Sequence, residues 1–271
     1  MQRGLKELIG HWGSSRFGGR LLESLEDEWG EIQVIERKGE RSLHFDRPEK
    51  QSAMSVSQPD RLILDYTQAM MCSLALLDEE PQRVLFIGLG GGSMVKYLLQ
   101  RYPNCRVDAV ELRESVVQLA QEHFGLLASP RLNLIIADVK DYLVHAKRFD
   151  YDLVLVDAFD KEGVAESVQG PGFFRALGRL VSRGGLVALN LWTEPQSRYQ
   201  INHYHLAEVF DRRILSLMVP ERTNKILFAF GAGAQPPDAR SRQGRAKQLE
   251  PHLGLGLPHW VAKIQPDPFG K

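Results

Sequence analysis

The sequence predicts an α/β fold in which a doubly wound parallel sheet follows a small N-terminal β-hairpin domain. From residue 83 onward, short apolar segments alternate with segments of helical periodicity, which is the pattern of strands and helices in such folds. The first of these strands runs into a glycine-rich turn, GLGGGS at 88–93, and then into a helix that Pro103 ends. A strand, a glycine turn and a helix in this order are typical of a nucleotide-binding unit.

The chain divides into three predicted regions, 1–77, 78–231 and 232–271. The first contains a hairpin pattern, EIQVIERKGERSLHF, and a helix over 62–77. In the second, the predicted strands are 84–87, 107–111, 132–136, 153–157, 186–191, 214–219 and 226–230. The helices between them are predicted over 94–102, 116–124, 142–146, 173–181 and 199–210. The third region begins as a Gly/Pro-rich flexible linker and ends in a tail that Trp260 and Val261 dock.

The composition indicates a globular protein of the reducing cytoplasm. Lys+Arg and Asp+Glu balance at 34 each, so no global field favours a nucleic acid or an anionic membrane as partner. No apolar stretch reaches membrane-spanning length. Two cysteines, Cys72 and Cys105, are too few for a disulfide framework. The pair His203 and His205 lacks the spacing of a helical zinc site, so no metal is predicted.

The glycine turn is the predicted cofactor-binding element. Its four glycines are Gly88, Gly90, Gly91 and Gly92. Because glycine has no Cβ atom, a ligand could approach the backbone here, where the N-terminus of the next helix presents unpaired N–H groups. The alternative is a structural βα turn whose glycines only allow close packing. A nicotinamide dinucleotide would use the same turn, but the acids after the next strands favour an adenosyl sulfonium ligand.

Acidic residues follow successive strands, where open parallel sheets bind their ligands. Glu111 ends the second strand about 20 residues beyond the glycine turn, where a carboxylate can accept hydrogen bonds from both hydroxyls of a ribose. The alternative for Glu111 is a favourable interaction with the dipole of the next helix. Asp138 follows the third strand and could reach the amino group of an adenine, or it could serve only as a helix N-cap.

Asp157 and Asp160 give the sharpest catalytic signal. They follow the fourth strand in the segment LVLVDAFDKEG and would place two carboxylates at the expected reaction centre. Neighbouring carboxylates in a partly dry cleft raise each other's pKa, so one can act as a base while both attract a cationic substrate. The alternative is a pair of turn-forming aspartates.

These residues carry a resemblance to the polyamine aminopropyltransferases, the spermidine synthase family, including its spermidine synthase-like bacterial branch. The resemblance covers about residues 30–192. It implies a class I methyltransferase-like, Rossmann-type domain behind a small N-terminal β domain. It also implies transfer of an aminopropyl group from decarboxylated S-adenosylmethionine to an amine, with release of methylthioadenosine, by a homodimer.

The resemblance implies further site residues. The pair Asp138 and Val139 matches the family's adenine-binding pair, and Gln51 resembles a glutamine that contacts the cofactor. Tyr66 and Gln68 fall in the amine pocket, where Gln68 replaces a family glutamate. Gly91 stands where the family has an aspartate on the glycine turn. The loss of these two carboxylates is expected to weaken the attraction for a diamine.

The sequence therefore predicts a spermidine synthase-like transferase in which Asp157 is the base and Asp160 helps to position the amine. A first alternative is a methyltransferase that uses intact S-adenosylmethionine, because the same sulfonium pocket serves both reactions. A second alternative is a non-catalytic regulator that binds an adenosyl nucleoside, because the fold alone does not establish turnover.

Overall fold

The N-terminal part of the protein is a four-stranded antiparallel sheet. The structure is a computed structural model that describes residues 15–146, 150–160, 163–220 and 223–268. The strands follow each other in the order β1 to β4: β1 (Arg20–Asp27), β2 (Gly30–Arg37), β3 (Glu40–Phe45) and β4 (Lys50–Ser55). Lys38 and Gly39 join β2 to β3 with φ of 52° and 78°. Two residues with positive φ form the hairpin turn that matches the twist of the strands, so the predicted hairpin is confirmed.

The main part of the protein is an eight-stranded sheet in the order β14-β12-β13-β11-β8-β5-β6-β7. Its strands are β5 (Arg83–Ile87), β6 (Arg106–Glu111), β7 (Leu132–Ile136), β8 (Tyr151–Val156), β11 (Val181–Trp192), β12 (Ile214–Met218), β13 (Asn224–Phe230) and β14 (Gln265–Pro266). The short strands β9 (Phe159–Asp160) and β10 (Gly163–Val164) form a separate antiparallel pair. The five strands from β11 to β7 are parallel, whereas β12, β13 and β14 pair antiparallel.

The helices lie between the strands and cover both faces of the sheet. They are α1 (Asp65–Met71), α2 (Ser93–Arg101), α3 (Glu114–His123), α4 (Val139–His145), α5 (Gly170–Leu180), α6 (Gln196–Val209), α7 (Ala239–Leu253) and α8 (Leu257–Val261). Val84 and Phe86 of β5 belong to one hydrophobic core, while Leu85 and Ile87 belong to the other. A strand that is buried on both faces needs apolar side chains at every position, which is why β5 reads as a continuous apolar run.

The segment after residue 238 is packed, and its first residues, 239–244, belong to a helix where the sequence predicts the end of a flexible linker. Asp238 caps α7 by accepting hydrogen bonds from the N–H groups of Arg240 at 2.8 Å and Ser241 at 2.9 Å. Trp260 and Val261 of α8 are buried in the core beneath the sheet, as expected for a docked tail. A capped helix with buried contacts can form despite an unfavourable composition, because tertiary packing supplies most helical stability.

Among the described residues, no helix is both long and apolar enough to cross a membrane.

Candidate active site

A cleft of about 1150 Å³ opens at the carboxyl ends of the parallel strands and lies beneath the N-terminal sheet. Its wall includes residues from β3 and β4, the segment 63–67, the glycine turn, and the ends of β6, β7, β8, β11 and β13. This is the edge at which open parallel sheets bind ligands. The cleft therefore lies where the sequence predicts the site.

The glycine turn forms the floor of the cleft against the end of β8. Gly88 has a φ of 92°, and a Cβ atom there would lie 2.2 Å from the carbonyl oxygen of Asp157. The N–H of Asp157 donates to the carbonyl oxygen of Ile87 at 2.8 Å, which holds the two strand ends together. Gly88 is thus required both by its backbone angle and by the close approach of Asp157.

The four predicted glycines have different surroundings. Gly88 and Gly90 line the cleft, whereas Gly91 and Gly92 are not among the residues that line it. A Cβ atom on Gly91 would lie 2.8 Å from the Phe124 ring and 2.8 Å from Oγ of Ser52. Gly92 precedes α2 with a φ of 69°. Two of the glycines thus line the cleft, whereas the other two serve the turn and its packing.

Glu111 lies at the end of β6 and binds the glycine turn directly. Its Oε2 accepts the N–H of Leu89 at 2.9 Å, and its Oε1 accepts the N–H of Arg113 at 3.0 Å. Burial raises the pKa of Glu111, and the backbone N–H groups oppose this rise by stabilising the carboxylate. A carboxylate can accept about four hydrogen bonds, so Glu111 keeps acceptor capacity for a ligand in the cleft.

Asp138 and Val139 line the cleft where α4 begins. Oδ1 of Asp138 accepts the N–H of Lys140 at 2.7 Å, which makes Asp138 the N-cap of α4. The cap uses only one oxygen, so the same carboxylate can also meet a ligand. The two readings of Asp138 are compatible, since a single side chain can perform both roles.

Asp157 is desolvated at the centre of the cleft. Its Oδ1 accepts a hydrogen bond from Nδ2 of Asn190 at 2.9 Å. Burial raises the pKa of Asp157 to about 6, although hydrogen bonds from Asn190 and from the Tyr66 hydroxyl stabilise the ionised form. A base with a pKa near the operating pH is both available and able to take up a proton. Asp157 therefore has the environment of a general base.

Tyr66 and Gln51 meet at the same part of the cleft. The Tyr66 hydroxyl lies 3.2 Å from the backbone carbonyl oxygen of Gln51 and also interacts with the Asp157 carboxylate. A hydroxyl has one proton to donate, and an ionised carboxylate is the stronger acceptor of the two. The Tyr66 hydroxyl therefore lies between the N-terminal sheet and the candidate base, and both Tyr66 and Gln51 line the cleft.

Gln68, in contrast, is not among the residues that line the cleft. Its Nε2 donates to the carbonyl oxygen of Leu62 at 2.8 Å, and its Oε1 accepts Nε1 of Trp260 at 3.1 Å. Successive residues of a helix are rotated by about 100°, so residues two apart point in nearly opposite directions. Because Tyr66 faces the cleft, Gln68 faces the packed segment after residue 238.

Asp160 is placed only through its backbone. It pairs with Gly163 in the short hairpin formed by β9 and β10. The placement of its side chain lies outside what the structure describes. The neighbouring Phe159 lines the cleft, and its ring lies 5.2 Å from the ring of Trp192. Through Phe159, the hairpin that carries Asp160 contributes an aromatic ring to the cleft wall.

Two further cleft residues, Asn190 and Arg113, were missed by sequence reasoning. Asn190 is a single polar residue in the apolar strand LVALNLW, and that interruption is the signal that could have identified it. Arg113 is 7% exposed and donates to both oxygens of Asp27, at 2.7 and 3.1 Å, and to the carbonyl oxygen of Gly30 at 2.8 Å. Its guanidinium also lies over the Phe45 ring, so it joins the N-terminal sheet to the Glu111 end of the cleft.

Comparison with known proteins agrees with the resemblance seen in the sequence. The family described as the spermine/spermidine synthase domain matches residues 64–234. A polyamine aminopropyltransferase of Neisseria meningitidis serogroup A is 30% identical over 247 residues, which cover 91% of this chain and 93% of that relative. A relative of the same name from Chromobacterium violaceum is 30% identical over 236 residues, 87% of this chain and 89% of its own.

Solved structures share the fold. A probable spermidine synthase from Corynebacterium glutamicum has a TM-score of 0.67 at 17% identity, over 84% of this chain and 86% of its own. Human methyltransferase-like protein 13, solved in complex with SAH, has a TM-score of 0.66 at 25% identity, over 71% of this chain and 93% of its own. The predicted methyltransferase-like fold is confirmed. Together with the family match, these findings show that the chain belongs to the spermine/spermidine synthase family.

Proposed function

We propose that this protein is an aminopropyltransferase that moves an aminopropyl group from decarboxylated S-adenosylmethionine to an amine. The observation that carries the proposal is the desolvated Asp157, whose pKa is raised to about 6 at the end of β8, directly against the glycine turn. A base in this position could take up the proton of an amine that attacks the aminopropyl carbon of a ligand bound at the turn. Membership of the family supports the same reaction.

The cleft offers the groups that an adenosyl ligand needs. Gly88 and Gly90 line the cleft with backbone atoms, and a Cβ atom on Gly88 would lie 2.2 Å from the carbonyl oxygen of Asp157. Glu111 offers unused acceptor capacity to ribose hydroxyls, and Asp138 with Val139 offers a carboxylate and an apolar surface to the adenine. In this assignment the sulfonium lies near Asp157, where a nearby anion is favourable.

In the proposed step, the amine nitrogen attacks the aminopropyl carbon next to sulfur. The nitrogen–carbon bond forms while the carbon–sulfur bond breaks, and its electron pair stays on sulfur, which leaves as the neutral thioether methylthioadenosine. Asp157 takes up the proton that the nitrogen loses, so the product is a neutral alkylated amine and a protonated carboxyl group. Tyr66 and Gln51 would orient the reactants, and Asp160 would help to position the amine.

Binding and turnover test this proposal in that order. Calorimetry against methylthioadenosine, S-adenosylmethionine and its decarboxylated form establishes the ligand class. A panel of diamines and longer polyamines is then screened for release of methylthioadenosine. Asp157→Asn keeps the shape but cannot take up the proton, so turnover should fall by roughly 10² to 10⁴ with nucleoside binding nearly kept. Turnover of this variant at the wild-type rate would refute the role of Asp157.

A methyltransferase that uses intact S-adenosylmethionine is the second candidate. The observation that favours it is the glycine turn GLGGGS at 88–93, which contains no carboxylate to select the decarboxylated form. The likeness to methyltransferase-like protein 13 supports the same possibility. Transfer of an isotopically labelled methyl group, without thioether release, would decide for this candidate. Ligand binding without either transfer would favour a regulator.

We also propose a cytoplasmic location and a homodimer. The homodimer rests on the family resemblance, and the location also rests on the two cysteines, which are free and buried. Light scattering of the purified protein tests the oligomeric state, and cell fractionation tests the location.

A further inference from the structure

The candidate base stands at one end of a row of side chains that crosses three neighbouring strands. Asp157 follows β8, Asn190 lies on β11, and Asn224 begins β13. Nδ2 of Asn224 donates to Oδ1 of Asn190 at 3.0 Å, and Nδ2 of Asn190 donates to Oδ1 of Asp157 at 2.9 Å. The pairing of Val156 with Leu189 in the parallel ladder brings Asp157 and Asn190 side by side.

The direction of this row is fixed by the acid. An ionised carboxylate only accepts hydrogen bonds, so Asn190 must turn its amino group towards Asp157. The carbonyl oxygen of Asn190 then faces Asn224, which must donate in turn. Asn190 is 2% exposed, so bulk water does not replace these partners, and a buried amide without them would be unfavourable. Both amides are therefore oriented with their donors towards Asp157.

We propose that Asn190 and Asn224 are positioning residues for the transfer reaction. This inference rests on the proposed function. Asn190 donates to Oδ1 of Asp157 and so orients the carboxylate, while the Tyr66 hydroxyl is a second donor that faces it. Asn224 acts one step further away, because it holds the Asn190 amide in the orientation that donates. The row also favours the ionised acid, since a donor stabilises a carboxylate more than a protonated carboxyl group.

A control with the same pair of side-chain types, here exposed to solvent, exists at the other edge of the sheet. Nδ2 of Asn133 on β7 donates to Oδ1 of Asp108 on β6, also at 2.9 Å, and neither residue is among those that line the cleft. Asn190→Leu and Asn133→Leu each remove one amide that donates to one aspartate. A general effect of losing such a contact would appear in both variants, whereas an effect on the base would appear only in the first.

The experiment follows the titration of Asp157 by carbon-13 NMR of its carboxyl group, identified by its loss in Asp157→Asn. In Asn190→Leu the titration midpoint should rise by about one pH unit, a tenfold change in proton affinity. The acidic limb of the pH–kcat profile should move by the same amount. Asn224→Ala should give a smaller shift in the same direction, and Asn133→Leu should give none.

The outcomes are separable from those of the proposed function. An unchanged midpoint in Asn190→Leu, or an equal shift in Asn133→Leu, would overturn the proposal. If Asn190→Leu does not fold, Asn224→Ala decides, because the loss of its donor must still move the midpoint. If the wild type releases no thioether with any amine, the proposed reaction fails, while the titration still shows whether the row acts on Asp157.

Discussion

Replacement of Glu111 tests the ligand site and the glycine turn at the same time. Its two carboxylate oxygens accept the N–H groups of Leu89 and Arg113, at 2.9 and 3.0 Å. Glu111→Ala leaves both N–H groups without this acceptor. Each unsatisfied group should lower the free energy of unfolding by about 1 to 3 kcal/mol. Glu111→Gln keeps one acceptor oxygen but turns an amino group towards the other N–H. Both variants should therefore be less stable than the wild type.

Either substitution of Glu111 should weaken ligand binding by more than the loss of one ordinary hydrogen bond would. A charged carboxylate that accepts from ribose hydroxyls contributes about 1.5 to 3 kcal/mol per bond, so Kd for methylthioadenosine should rise at least about tenfold in either variant. Isothermal titration calorimetry measures this affinity, and urea unfolding measures stability on the same samples. The two measurements together separate loss of the ligand contact from loss of the fold.

Asp108→Asn is the control, because Asp108 lies on the same strand and is not among the residues that line the cleft. It accepts hydrogen bonds from Tyr151 and Asn133, so its loss should lower stability and leave the affinity unchanged. A folded Glu111→Gln protein that binds methylthioadenosine as tightly as the wild type would refute the reasoning.

Two further predictions concern Asp157 and Gly91. Burial raises the Asp157 pKa from 3.8 to about 6. Between these values the native state binds more protons than the unfolded state, so wild-type stability falls as the pH rises. Urea unfolding should find Asp157→Asn more stable than the wild type by up to about 3 kcal/mol at pH 8 and equal to it below pH 4; a constant difference would contradict this. Gly91→Asp should lower the free energy of unfolding by about 1 to 3 kcal/mol, because its Cβ atom would lie 2.8 Å from the Phe124 ring. It should gain no preference for decarboxylated over intact S-adenosylmethionine in calorimetry, and a stable variant with that preference would contradict the packing argument.

The parts of the fold that follow from local pattern could be predicted from the sequence. Strand β5 is a continuous apolar run because both of its faces are buried, and its glycine turn is needed where Asp157 approaches Gly88. The carboxyl ends of parallel strands meet at one edge, so Glu111, Asp138 and Asp157 could be placed together by their positions along the chain. These are consequences of periodicity and topology, which the sequence carries directly.

Contacts between distant side chains could not be predicted in the same way. Asn190 lies 33 residues after Asp157 and 34 before Asn224, and no local rule pairs an asparagine with a partner at that separation. Gln68 was assigned to the amine pocket by resemblance, whereas its helical position relative to Tyr66 turns it away from the cleft. Helix α7 contains Gly244 and Pro251, which disfavour a helix locally; its cap and its buried contacts compensate.

The packed segment after residue 238 has a consequence for the order in which the protein folds. The described residues that line the cleft end at Asn224, so α7, α8 and β14 contribute to the core and not to the cleft wall. Their contacts reach far back along the chain: Trp260 bonds to Gln68 across 192 residues. Closing such loops is entropically unfavourable, by about 0.6 kcal/mol more for each doubling of loop length, and non-local contacts form slowly. We therefore expect this segment to dock late, because it is synthesised after all the described residues that line the cleft and completes the core beneath α1 and α2.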